Sequence, residues 1–130
     1  MAVTAHLTCL KYAVTARLAP AAAGAYKSWL ADGHIQALVD DGGALVARVE
    51  DCGTDADGKA VVKSVYVFPS REAFAGYERD VAPRLRADGL ARFGPESEHP
   101  VAFSRAVDDV SRAEADEELA KEGAYSGRKP

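Results

Sequence analysis

One α+β domain in the order β-α-β-β-α-β is what three features of this sequence predict. The first is size: 130 residues, 48% apolar and 28% charged, are enough to close one core and too few to divide sensibly into two. The second is a change of hydrophobic period, alternating in "LKYAVTARL", helical in "AYKSWLADGHIQALVDD", then alternating again. The third is punctuation, because "DDGG", "GTDADG" and "PESEHP" separate the periodic runs.

The first strand is expected over 6–18, where Leu10, Tyr12, Val14, Ala16 and Leu18 alternate against Lys11, Thr15 and Arg17. Pro20 suits the opening turn of a helix that runs to about Asp40, its apolar face made by Tyr26, Trp29, Leu30, Ala37 and Leu38. Gly24 and Gly33 weaken this helix by roughly 1 kcal/mol each relative to Ala. The glycines of "DDGG" stop it, and "ALVARVEDC" is strand two. Asp57-Gly58 is a hairpin turn leading into "AVVKSVYVF", strand three. Ser70 caps a second helix that buries Phe74, Tyr77, Val81 and Leu85.

Pro83 lacks an N–H, so "YERDVAPRLRADGLARFG" is expected to break into two short helices, with Asp80 capping the second. "VAFSRAVDDV" is strand four. This order is the split unit of a ferredoxin-like fold: a four-stranded antiparallel sheet with helices on one face. It puts strand three between Cys9 and Cys52, roughly 10 Å apart, too far for a disulfide. Two free thiols suit a reducing, cytoplasmic compartment. Residues 1–110 form this domain, and 111–130 stand outside it as an exposed polar helix, capped by Ser111 and Glu114, and a loose tail.

Net charge of −4 and a pI near 5.3 oppose nucleic acid as a partner. Every apolar run is interrupted before the roughly 18 residues of a membrane span, so no membrane association is expected. Residues 1–31 hold Lys11, Arg17 and Lys27 and no acid, the bias of a transit peptide, but the alternation after Leu10 reads better as a strand.

Three stretches, "SWLADGHIQAL", "YERDVAPRLRADGLARFG" and "PVAFSRAV", resemble an uncharacterised, mostly bacterial family of unknown function in the dimeric α+β-barrel group. The likeness covers about 9–110 and implies two protomers packed sheet against sheet. Trp29 and His34 match the family's pattern; Val81 and Gly89 stand where it has His, and Gln36 where it has Pro. Independently, "VVKSVYVF" is apolar on both sides, Val62, Tyr66 and Phe68 opposing Val61, Val65 and Val67, so a homodimer through the open sheet face is expected.

His34 is the candidate acid or base, since it borders the apolar face beside Leu30 and Leu38. Tyr12 and Tyr66 are candidates to orient a substrate, and Trp29, Leu30 and Phe68 to line a site for a small apolar molecule. Each also has a plain packing explanation. His6 and His99 are scattered, and no Cys pair has metal spacing, so no metal is expected. "DCGTDADG" lacks the glutamate of a calcium loop. No P-loop, dinucleotide fingerprint or GxSxG occurs, so no cofactor is expected. Arg84, Arg86 and Arg92 are interleaved with Glu78, Asp80 and Asp88 and read as solvated ion pairs.

Three functions remain: a homodimer binding a small apolar ligand; a cofactor-independent isomerase, cyclase or oxygenase acting on an aromatic or polyketide-like substrate; and an interaction module working through the acidic tail. The enzyme requires His34 to open into a cavity of at least ~300 Å³ with a polar group in reach.

Overall fold

The computed structural model describes residues 8–127. Its elements are β1 (Cys9–Leu18), α1 (Pro20–Trp29), a kinked turn (Leu30–His34), α2 (Ile35–Asp40), β2 (Val46–Thr54), β3 (Ala60–Phe68), α3 (Arg71–Asp80), α4 (Ala82–Phe93), β4 (Ala102–Val110) and α5 (Arg112–Ala120). The sheet order is β2-β3-β1-β4, with every pair antiparallel. This is the ferredoxin-like arrangement that the sequence predicts. β3 does lie between β2 and β1, and both cysteines are free, Cys9 buried and Cys52 exposed.

Alternation along the strands divides the sheet into two faces. Leu10, Tyr12, Ala16 and Leu18 of β1 and Val62, Tyr66 and Phe68 of β3 join the core beneath the helices, together with Tyr26, Leu30, Phe74, Tyr77 and Leu85. The hairpin between β2 and β3 turns where expected: the Asp55 carboxylate accepts the N–H groups of Asp57 and Lys59 at 2.9 and 3.0 Å, and Gly58 has φ of 79°. Ser70 caps α3 by accepting the Ala73 N–H at 3.0 Å.

Several expectations need correction. The helix expected to run unbroken to Asp40 breaks at Asp32 and Gly33, where Gly33 takes φ of 110°. Gln36 splints the break, its amide oxygen accepting from the Gly33 N–H at 3.0 Å and its amide nitrogen donating to the Ala31 carbonyl at 2.9 Å. The second helix divides at the proline as predicted, but Val81 occupies the cap position of α4 and Asp80 does not cap it. Asp80 turns back to Arg79, at 2.9 Å. Val81 itself is only partly buried.

The largest departure is at the C-terminus. α5 begins with the expected cap, Ser111 accepting the Glu114 N–H at 3.1 Å, yet it is not an exposed appendage. It lies over the outer face of the sheet, where Ala115 packs with Cys9, Val46, Val67 and Val110, and Leu119 and Ala124 complete the cluster. Glu118 points inward and accepts from Arg48 Nε at 2.7 Å, with Lys121 at 3.0 Å and Lys11 at 3.4 Å. Nor is the tail loose up to residue 127: Tyr125 exchanges backbone hydrogen bonds with Ala47 at 2.7 and 2.9 Å. That pairing occupies part of the β2 edge.

Candidate functional site

Between the sheet and the helices lies a cavity of about 230 Å³. Its floor is the helix-facing row of the sheet, Tyr12, Val14, Ser64, Tyr66, Phe103 and Arg105, and its roof comes from Tyr26, Trp29, His34, Leu85, Arg86 and Leu90. The break at Gly33 positions His34. Ending α1 early swings the next residue back beneath Trp29, and the two rings stack with centroids 4.0 Å apart. Gly89 allows the close approach, since a Cβ there would come within 3.3 Å of the Trp29 ring. Trp29 is fixed from outside by Asp88, which accepts its indole N–H at 3.2 Å. On the far side of the same two rings runs a surface groove lined by Asp32, Arg84, Asp88 and Arg92.

The cavity wall is aromatic, with polar groups at chosen points. Burial pushes the His34 imidazole down to about 4, against the opposing charge of Asp88, so it is neutral near pH 7. Its Nδ1 is buried and has no hydrogen-bond partner, and the same holds for Nε of Arg86; among the described residues these are the two such atoms. Buried polar atoms are nearly always paired, so two unpaired ones on residues of the same cavity lining are unusual. The Tyr12 hydroxyl accepts from Arg105 Nε at 3.1 Å and Arg86 Nη2 at 3.4 Å. Burial raises the pKa values of the Tyr26, Tyr66 and Tyr77 hydroxyls, which therefore stay protonated and do not act as bases.

Of the residues singled out from sequence, His34, Tyr12, Tyr66, Trp29 and Leu30 all line this cavity. Phe68 does not; it packs on Phe74 and Tyr77, with centroids 5.2 and 5.3 Å away. Arg92 and Arg86 pair with two of the expected acids, Asp88 at 3.4 Å and Glu78 at 3.6 Å, whereas Arg84 pairs with Asp41 at 3.2 Å. Arg86 also reaches inward to Tyr12. Arg105 and Ser64 escaped the sequence reading, and Tyr26 was placed on the buried face of the first helix without being named for the site; strand alternation alone puts Ser64 and Arg105 on the helix-facing row, which is the signal that could have found them. His6 lies outside the described residues. His99 does not line the cavity. Gly89 borders the cavity and Val81 does not.

At 230 Å³ the cavity falls short of the ~300 Å³ expected of a site for a larger substrate. It exceeds the ~150 Å³ cavity that holds benzene. One ring with short substituents fits; a polyketide-sized skeleton does not. No group of three His, Cys, Asp or Glu among the described residues is placed to hold a metal, and no helix among them is long and apolar enough to cross a membrane.

Among solved structures, the chain is similar to a Caulobacter crescentus protein described as a candidate antibiotic biosynthesis monooxygenase. The TM-score is 0.54 at 19% identity, over 77% of this chain and 89% of that one. It is also similar to a protein of Shewanella oneidensis, with TM-score 0.51 at 14% identity over 78% and 94% of the two chains. At these identities the likeness is one of fold. No curated protein matches the chain. A family described as a domain of unknown function, DUF4286, matches residues 10–109, and the chain belongs to that family.

Proposed function

We propose that this protein is a homodimer that binds a small, mostly apolar aromatic molecule in the cavity between its sheet and helices. The observation that carries the reading is the pair of orphaned buried atoms, His34 Nδ1 and Arg86 Nε, both on residues that line an otherwise aromatic cavity. The aromatic wall supplies flat apolar surface, and the few polar groups supply orientation, the usual composition of a small-molecule site. Trp29 is the sole tryptophan, so its fluorescence reports directly on occupancy. Titration with toluene and with benzamide is expected to change that fluorescence saturably and to raise the thermal midpoint. In Val14→Phe, whose ring would fill the cavity, both responses should vanish. Responses unchanged by Val14→Phe would contradict the reading.

The dimer is proposed through the part of the outer sheet face that α5 leaves open, around Thr15, Val61 and Ala106. Sedimentation at micromolar concentration checks it: a mass of two chains is expected, and a stable single protomer contradicts it.

A second reading, proton transfer on the bound molecule in the manner of a cofactor-independent isomerase, is favoured by one observation. Burial keeps His34 neutral, so its imidazole is free to accept a proton. The same burial makes it a weak base, so the chemistry requires a bound group that stabilises the imidazolium. An interaction module acting through 111–130 is less well supported, because Glu118 is spent on Arg48 inside the fold.

A further inference from the structure

We propose that the molecule this cavity takes is an aromatic carboxylate, its carboxylate held between Arg86 and Arg105 beside Tyr12 and its ring lodged among Tyr26, Trp29 and Phe103. The proposal rests on the cavity being a binding site and adds the chemical class of the ligand.

The chain is acidic, with 16 Lys and Arg against 20 Asp and Glu, yet the cavity lining contains two arginines and no carboxylate. Every other described arginine stands within 3.5 Å of a carboxylate oxygen. Arg86 has only Glu78, at 3.6 Å on a half-exposed side chain, and Arg105 has no carboxylate in ion-pair range among the described residues. The two cations come from opposite sides of the cavity, Arg86 from α4 and Arg105 from β4. They converge on a single neutral oxygen, the Tyr12 hydroxyl, at 3.4 and 3.1 Å.

That oxygen is a poor match for what surrounds it. A hydroxyl has two lone pairs, and both are already addressed, while Arg86 Nε beside them has no acceptor at all. A carboxylate offers about four acceptor sites on two oxygens and pairs side by side with the Nε and Nη2 edge of a guanidinium. It would satisfy the orphaned Nε, neutralise two convergent cations and leave the Tyr12 hydroxyl free to donate. The remaining lining accepts a ring: the Tyr26 centroid stands 6.0 Å from that of Trp29 and 6.2 Å from that of Phe103. Leu90, 57% exposed, also lines the cavity, so a charged molecule has an entrance beside α4.

Benzoate and benzamide test this, since they share a shape and differ in charge. In low-salt buffer near pH 7, followed by Trp29 fluorescence, benzoate is expected to bind at least about tenfold tighter than benzamide. Arg86→Gln with Arg105→Gln should bring the two within about twofold, by weakening benzoate far more than benzamide. Arg105→Gln alone, at an exposed position that threatens the fold least, should cut the preference at least about threefold. Equal binding, or tighter benzamide, overturns the anion and leaves the cavity reading standing. No binding of either overturns both. A benzoate preference that survives the double substitution overturns the assignment to these two arginines.

Discussion

The two faces of the sheet each carry a buried polar cluster, and the clusters differ in whether they are complete. On the outer face Arg48 and Glu118, with side chains 8% and 9% exposed, meet at 2.7 Å; Glu50 also accepts from Arg48, and Lys11 and Lys121 also donate to Glu118. Burial pushes the Glu118 carboxyl up, but hydrogen bonds from Arg48 and Lys121 and the charge of Lys11 outweigh it and hold the pKa down to about 2. On the helix face His34 Nδ1 and Arg86 Nε have no partner, and two arginines share one phenol. A satisfied network rigidifies the element it holds, and a partly satisfied one leaves donors available. The outer cluster fastens α5 to the sheet, and the helix-face cluster is the one for which we propose a ligand.

Removing α5 should break this contrast most severely. A chain ending at Val110 uncovers Cys9, Val46, Val67 and Val110 and strands Arg48. The expected loss is on the order of 5 kcal/mol, read as a collapse of the thermal midpoint or as aggregation. An unchanged midpoint would mean that α5 is an appendage after all. Next in size is Glu118→Ala, which leaves Arg48 with Glu50 alone and should cost about 3 kcal/mol in urea unfolding. A cost under about 0.5 kcal/mol would place this pair with ordinary surface ion pairs.

The smaller effect belongs to the helix face. His34 takes its proton near pH 6.5 when unfolded and near 4 when folded. Between those values the unfolded chain binds the extra proton, so stability falls as pH drops from 6.5 to 4 and is flat on either side. His34→Gln should remove on the order of 2 kcal/mol of that pH dependence. Parallel stability curves for the two proteins would contradict the burial of a neutral imidazole.

Much of this architecture was legible because it is local. Strand alternation set β1 and β3, Asp57-Gly58 set the hairpin, and Pro83 divided the second helix. What was not legible depends on distant partners. Glu118 looks like its neighbours in "RAEADEELAKE", and its partner Arg48 is 70 residues away. Arg86 looks like Arg84 and Arg92, and only the fold turns it toward Tyr12, 74 residues earlier. Gly33 was read as a weak point in a continuous helix, whereas its positive φ ends one helix and aims His34. His34, Trp29 and Tyr12 were found because aromatic and titratable residues on a buried face are few enough to name.

On the reading proposed above, the helix face and not the outer face receives a ligand, and amide chemical shifts recorded while benzamide is added distinguish the two. Movement is expected at Tyr12, Val14, Trp29, His34, Ser64 and Gly89, with Val46, Arg48, Val67 and Glu118 still; movement centred on the outer face, or none at all, refutes it.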